Sequence, residues 1–385
     1  MPTRAGWTVL AGALAALGAG RLLGVLELFV LGAVAIALVV VSVAWVRRPL
    51  PALALHREVH PARPTRGAAA RVDVVVRNRG RRPTPVLTVR DLVEGTVGAR
   101  LAIAPLEAGS ARQVGYRLPT LRRGALQVGP MTAELLDPFG LARRAVGGPE
   151  AQTITILPGI EPLEGRLVGA GRQEPLAGRS TRSMATSGIE DLATLRPYVV
   201  GDDLRRVHWP ASARADDLLV RRDEERWQGH LTLVLDVDPA AMGAAAFEQA
   251  VSAAASIVHH VAESGDRVRL VASDGYDSGM VDARRAEGAL LEHLAHLAQA
   301  PTELALPTAP SDRRSSLVVL SGAQRAARAG ALLRGDEQAT GWVVRFGGPS
   351  TTAGPDGPGG LAVGAGDRFA ERWRHLAGRR AEART

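Results

Sequence analysis

From Trp7 to Val46 the chain is apolar apart from Arg21, Glu27 and a few small polar residues. A helix needs roughly 20 residues to cross the hydrocarbon core of a bilayer, so this stretch accommodates two closely spaced spans, placed at 6–24 and 28–46 within a hairpin region 1–50. Arg21 and Glu27 then fall near the hairpin turn, within reach of interfacial water or of each other. Over 51–160 the hydrophobic period drops to two: RVDVVVRN sets Val72, Val74 and Val76 on one face against Arg71, Asp73 and Arg77 on the other. PVLTVRDLV, ARQVGYRLP, GALQVGP and TITILP follow with Gly or Pro between them, which predicts a small all-β sandwich. From 231 to 346 apolar runs alternate with helical patterns: LTLVLDV, a long Ala-rich helix, RVRLVAS, a Leu- and Ala-rich helix, SSLVVLS and GWVVRF. Strands of this kind separated by helices predict a parallel sheet covered on both faces, a doubly wound α/β domain. The fold class is therefore mixed.

Two connections complete the pattern. Residues 161–187, rich in Gly, Arg and Ser, read as a flexible linker. Residues 188–230 form a charged connector carrying Tyr198, His208 and Trp209 among its charges and leading into the apolar strand at 231–237. Its mixture of aromatic and paired charged residues implies a specific shape. The tail 347–385 begins Gly- and Pro-rich, predicted flexible, and ends in a helical pattern with Phe369 and Trp373 four apart on one face, a spacing suited to docking.

Composition narrows the chemistry. The 385 residues, 46% of them hydrophobic, can fill the cores of two domains. The chain has no cysteine, which excludes disulfides, thiolate metal sites and a cysteine nucleophile. It has no lysine either, so all 47 basic residues other than the nine histidines are arginine. That excludes a Walker-type phosphate lysine, a Schiff-base lysine and a kinase-type lysine. A net charge of +8 and a pI near 11.0 accompany abundant Ala and Gly but no nucleic-acid-binding motif, so composition accounts for the charge and no nucleic-acid partner is expected. Arginines nevertheless crowd the stretch from Arg47 and Arg48 through Arg57, Arg63 and Arg71 to Arg82, while Arg4 precedes the first span. By the positive-inside rule both ends of the hairpin face the cytoplasm, and the basic run can lie against anionic headgroups. A cleaved signal peptide is disfavoured by the second span, a firm stop-transfer anchor ending at Arg47-Arg48.

Within the connector, Asp202, Asp203, Arg205, His208 and Arg214 could form a catalytic site with His208 as base. No nucleophile elbow, His-Glu-x-x-His or phosphate loop accompanies them, so the preferred reading is structure plus partner recognition: a network of arginine–carboxylate pairs that fixes the connector, with Tyr198 and Trp209 as apolar anchors. Upstream, the Asp137-Pro138-Phe139-Gly140 stretch reads as a structural turn whose Phe139 plugs the sandwich. His259 with Glu263, and His293 with His296, have helix-face spacings that ordinary boundary residues explain.

In order, Gly188 with Glu190, Arg196 with Tyr198, Gly201-Asp202-Asp203 with Arg205, His208-Trp209, and Ser212-Ala213-Arg214 resemble the signature of the family called domain of unknown function 58, with Pro197 between Arg196 and Tyr198 as a departure. Arg122-Arg123-Gly124 and Asp137 to Leu141 extend the resemblance upstream over most of the chain. The resemblance implies that the C-terminal half is a von Willebrand factor A-like domain. In that fold an Asp-x-Ser-x-Ser loop after the first strand binds a divalent cation. Asp236, Asp238 and Ala240 stand at the corresponding positions, and Ser321-Gly322-Ala323 ends the third strand where another acidic ligand is often supplied. Ala240 offers no ligand atom, so Asp236 and Asp238 are a degenerate metal site, magnesium is disfavoured, and no cofactor is expected. Asp238-Pro239 reads equally well as a helix-entry cap.

The same resemblance implies work beside AAA+ ATPases of the MoxR type on an unidentified client. The expectation is a multi-pass protein of the cytoplasmic membrane, its domains in the cytoplasm, acting as a non-catalytic adaptor in the remodelling or maturation of envelope-associated proteins. A divalent-metal-dependent hydrolase and a purely structural membrane component are the alternatives.

Overall fold

The computed structural model describes residues 1–48, 52–165, 195–198, 207, 209–215, 217–221, 229–304, 315–334, 340–347 and 360–374. The chain divides into two compact units, Met1–Glu161 with Gly288–Ala298, and Pro162–Glu287 with Gln299–Thr385.

The first unit opens with two apolar helices, α1 (Arg4–Leu23) and α2 (Leu26–Arg47), each long and apolar enough to cross a membrane. Thr3 caps α1 by accepting from the Gly6 N–H, and Gly24 ends it in the left-handed conformation that glycine adopts without a Cβ penalty. Gly6, Ala13 and Gly20 are the buried residues of α1 and recur every seven positions. Small residues at that spacing let helices approach closely: a Cβ on Gly20 would meet the Phe29 backbone, and one on Gly32 the Ala13 carbonyl. Leu14, Leu22, Phe29, Val34 and Val41 face outward, and apolar side chains so exposed associate the protein with a membrane.

The sheets that follow are β1 (Leu53–His60), β2 (Ala70–Asn78), β3 (Leu87–Val93), β4 (Ala99–Ile103), β5 (Ala111–Leu118), β6 (Gly124–Leu136), β7 (Arg143–Gly147) and β8 (Gln152–Ile156). One sheet has the order β1-β2-β5; the other runs β4-β3-β6-β7, with β8 also pairing β6. Val72, Val74 and Val76 of β2 point inward, as their alternation requires, against Leu87, Val89, Val128, Met131 and Leu135 of the other sheet. Val46 of α2 belongs to the same core, so the end of the second helix is built into the sandwich.

One polar contact crosses that core. Arg57 on β1 donates through Nε to Asp91 Oδ2 on β3 at 2.9 Å and through Nη2 to Oδ1, while Nη1 reaches the Val128 carbonyl at 3.0 Å. Tyr116 on β5 donates to the same carboxylate at 2.8 Å. Burial, reinforced by that bond to Asp91, pushes the Tyr116 hydroxyl well above the usual phenol range. Arg57 therefore departs from the expected basic run against headgroups: it is a buried tie between the sheets. The Asp137–Leu141 turn also differs from expectation. Asp137 accepts from the Phe139 and Ala142 N–H groups, as a structural turn should, but Phe139 is 62% exposed and plugs nothing. Leu141 and Ala142 are the buried residues there.

The second unit contains a hairpin of β9 (Leu195–Pro197) and β10 (Leu219–Arg221), with the short α3 (Trp209–Ala215) between them in sequence. There follow β11 (His230–Leu235), α4 (Ala244–Ser264), β12 (Arg267–Ala272), β13 (Val281–Asp282), α5 (Ala283–His296), of which residues from Gly288 on belong to the first unit, β14 (Ser315–Gly322), α6 (Ala323–Arg334), β15 (Thr340–Phe346) and β16 (Gly360–Val363). The sheet order is β13-β12-β11-β14-β15-β16, parallel except where β13 pairs β12. Leu231, Leu233, Val234 and Leu235 are fully buried, which is why β11 reads as a continuous apolar run. β16 is a strand inside the tail expected to be flexible. A helical turn at 369–374 follows it, with Phe369 and Trp373 buried against Phe346 and Trp342 at centroid distances of 6.5 and 6.0 Å.

Replacing Arg57 by alanine strands a buried carboxylate and should cost about 3–5 kcal/mol. Chemical denaturation of the detergent-solubilised chain checks this, and the double change Arg57→Met with Asp91→Leu should lose less than the single one.

Candidate functional site

The chain leaves β11 to build β12 on one side and then β14 on the other, so the sheet order reverses at β11. A crevice opens at the carboxyl ends of strands where such a reversal occurs, and ligands of open α/β sheets bind there. Asp236 and Asp238 stand at that point, just past β11, with Ser321 at the end of β14 and Arg325 in the first turn of α6.

The four side chains form one cluster. Ser321 Oγ donates to Asp236 Oδ2 at 2.6 Å, and the Asp238 N–H donates to Asp236 Oδ1 at 3.1 Å. Arg325 Nη2 donates to Asp238 Oδ2 at 2.5 Å and to the Thr302 carbonyl at 3.1 Å, while Nη1 lies 3.4 Å from Asp236 Oδ1. Ser273 Oγ accepts from the Val237 N–H at 2.9 Å and pairs with Thr302 Oγ1 at 2.8 Å. Asp236 and Ser321 are fully buried, whereas 29% of the Arg325 side chain remains exposed. A cation in the first turn of a helix meets the positive end of the helix dipole, at a cost of roughly 0.3–1 kcal/mol. Two adjacent carboxylates offset that cost.

Asp238 also accepts from the Ala240 N–H at 2.8 Å. That N–H, opposed by burial and joined by Arg325, holds the Asp238 carboxyl below the usual carboxylate range. The bond closes a turn before α4; the helix itself is capped by Gly243 without a side-chain bond, so Asp238 is not its cap. Gly322 lets the turn close on β14, since a Cβ there would overlap the Ala241 carbonyl oxygen.

Magnesium requires near-octahedral oxygen ligands at about 2.0–2.1 Å. Here a guanidinium bridges the two carboxylates, Ala240 brings no side-chain oxygen, and among the described residues no group of three or more His, Cys, Asp or Glu could hold a metal. The residues do not fit a divalent cation while Arg325 stays in place. Ser321 is buried and donates its proton to a carboxylate, which leaves it no access to a substrate.

Of the connector residues, Tyr198 is half-buried, and its N–H donates to the Leu218 carbonyl at 2.7 Å, extending the β9–β10 pairing. Ser212 is buried, and its hydroxyl accepts from the Leu219 N–H at 2.8 Å, tying α3 to β10. Arg214 is exposed. Trp209 is 62% exposed and so is not the apolar anchor it was expected to be. The backbone of Arg196 lies in β9, opposite Val220. Glu190, Gly201, Asp202, Asp203, Arg205 and His208 lie outside the described residues.

Sequence reasoning found Asp236 and Asp238 but missed Arg325, Ser273 and Thr302. A signal for Arg325 existed: it follows Ser321-Gly322-Ala323 within one helical turn, at the strand end adjacent to the aspartates.

The family described as "Protein of unknown function DUF58" matches residues 194–338. The chain is similar to the Uncharacterized protein YeaD of Bacillus subtilis (strain 168), 25% identical over 218 residues, a match covering 54% of this chain and 53% of that protein. It thus spans about half the length of this curated relative. Among solved structures, the CARDB domain of the PF1109 protein from Pyrococcus furiosus aligns at a TM-score of 0.23 and 15% identity, covering 28% of this chain and 94% of that one. A β-glucosidase from Listeria innocua aligns at 0.17 and 15%, covering 26% and 16%. At these scores neither assigns a fold or an activity.

Changing Arg325 to alanine removes the cation that Asp236 and Asp238 share, and the expected outcome is a loss of stability relative to wild type. Denaturant midpoints of wild type and variant measure it. Asp238 has a lower folded than unfolded value, so its stabilisation is present above the unfolded value near ~3.9 and is lost as pH falls below it. Asp238→Asn should flatten the fall in stability over that acid range in a pH series of melting curves.

Proposed function

We propose that this protein is a membrane-anchored, non-catalytic interaction adaptor whose doubly wound, von Willebrand factor A-like domain presents the β11–β14 strand ends to a partner. The observation that carries this reading is the Arg325 bridge between Asp236 and Asp238. It occupies the crevice where this sheet topology offers a ligand site, and it satisfies the carboxylates with the chain's own cation, leaving neither a free base nor an open metal position. What remains for a partner is the exposed side of Arg325 together with the connector, where Trp209 and Arg214 face solvent.

The multi-pass, cytoplasm-facing topology rests on the arginines at Arg4, Arg47 and Arg48, which flank the two apolar helices at the same end of the hairpin. The partner class, a MoxR-type AAA+ ATPase acting on a client protein, comes from the family resemblance, and the absence of lysine, which leaves the chain without a phosphate-loop or kinase-type lysine of its own, fits that division of labour.

Capture of the crosslinked full-length protein from native membranes, with and without ATP, tests the adaptor reading. An AAA+ ATPase should co-purify with wild type and be lost in Asp202→Ala/Asp203→Ala; its absence in all conditions from folded, abundant protein would remove the reading. Titration calorimetry with magnesium and manganese is expected to give no heat of binding with wild type. Binding by wild type would favour the metal-dependent hydrolase instead.

A further inference from the structure

We propose that the Asp137–Leu141 turn is a bilayer-contacting element that places Phe139 in the headgroup region of an anionic membrane, holding the sandwich against the lipid surface. The proposal rests on the reading that α1 and α2 cross a membrane.

The turn is fastened to the start of α1. The Thr3 N–H donates to the Leu141 carbonyl at 2.8 Å, and Thr3 Oγ1 donates to the Gly140 carbonyl at 2.7 Å. Pro2 bridges to Ala142, and the Met1 amino group donates to the Arg143 carbonyl at 2.8 Å. A Cβ on Gly6 would collide with the Leu141 carbonyl oxygen, so the turn lies against the first helical turn itself. At 1.5 Å per residue the 20 residues of α1 extend about 30 Å, the thickness of a bilayer's hydrocarbon core, which leaves no length to spare. Thr3 must then sit at the boundary of the core, and the turn bonded to it sits at the same depth.

The residues exposed there suit that boundary. Asp137 spends its carboxylate on two backbone N–H groups, Leu141 and Ala142 are buried, and Phe139 is left pointing out at 62% exposure, beside the exposed Leu136. Trp7, in the first turn of α1, is exposed as well, as an aromatic at a membrane boundary is expected to be. Arg47 and Arg48, where α2 ends, and Arg143 and Arg144, which follow the turn, are exposed cations, the complement of anionic headgroups. Arg144 Nη1 donates to the Arg48 carbonyl at 3.3 Å, which brings the two basic pairs together. The turn thus presents an exposed apolar tip followed in sequence by exposed guanidinium groups, the combination an interfacial contact uses.

The absence of cysteine permits single-site labelling of the full-length chain. Phe139→Cys, Leu14→Cys and Val97→Cys variants, each carrying an environment-sensitive fluorophore, would be reconstituted into phosphatidylcholine–phosphatidylglycerol vesicles containing lipid quenchers at headgroup or mid-chain depth. Val97 is 100% exposed and follows the end of β3 that pairs at Val93 with Val128, opposite the end where Leu87 meets Leu135 beside the turn. The expected result is quenching at Leu14 by the mid-chain probe, quenching and a blue shift at Phe139 with the headgroup probe, and neither at Val97. A further expectation is that Arg143→Gln/Arg144→Gln reduces the Phe139 response. If Leu14 is quenched while Phe139 behaves as Val97 does, the membrane contact is overturned and the span stands. If Leu14 is not quenched, the span reading falls and the contact falls with it.

Discussion

A carboxylate removed from water survives in a fold only if hydrogen bonds and a countercharge go with it, and both compact units are organised around that demand. In the first, Asp91 is claimed by Arg57 and Tyr116 from the opposite sheet, so the pair that neutralises the charge also joins the two layers. In the second, Asp236 and Asp238 gather Ser321, the loop N–H groups and Arg325, so the strand ends and the start of α6 are drawn to one point. Both countercharges are guanidinium groups. A planar fork can serve two acceptors and still reach a carbonyl, as Arg57 does at Val128 and Arg325 at Thr302, where the compact ammonium of a lysine is a single point charge.

What was legible in the sequence follows from the range over which each pattern acts. The helical hairpin and the alternation of β2 are local patterns, and Val72, Val74 and Val76 point where period two sends them. The α/β half was legible from its apolar runs for the same reason. Arg57 was not, because nothing in its neighbourhood says that Asp91, 34 positions away, faces it across the core. Phe139 and Trp209 misled in the opposite direction: large aromatics are usually buried, and here both side chains are 62% exposed. β16 was hidden because GLAV is too short for a period and lies in Gly-rich surroundings; its pairing with β15 is a tertiary fact.

At the candidate site the aspartates were legible and their partner was not. The two carboxylates are close in sequence, so spacing finds them, whereas Arg325 comes from another strand–helix junction and is recognisable only once β14 lies beside β11. Reading the acidic pair alone suggests a cation from solution; reading the pair with its arginine removes the need for one. The difference concerns charge compensation, which no local motif records.

The first unit has a further consequence of shared burial. Val46 is the last apolar residue of a helix whose other faces are lipid-like in character, yet it is fully buried in the sandwich core, with Val43 and Trp45 packed against it. Burying one large apolar side chain is worth about 1.5–3 kcal/mol. A sandwich separated from α2 would lose that packing and expose the core surface it covers. At the other helix, Thr3 is held by the Asp137–Leu141 turn through bonds that the hairpin alone cannot make, and Gly6 lies close against the Leu141 carbonyl. Both ends of the hairpin are therefore locked to the β-domain, so the sandwich takes its orientation from the helices and not from a tether. That rigidity is what allows a single exposed phenylalanine on a turn to have a defined depth.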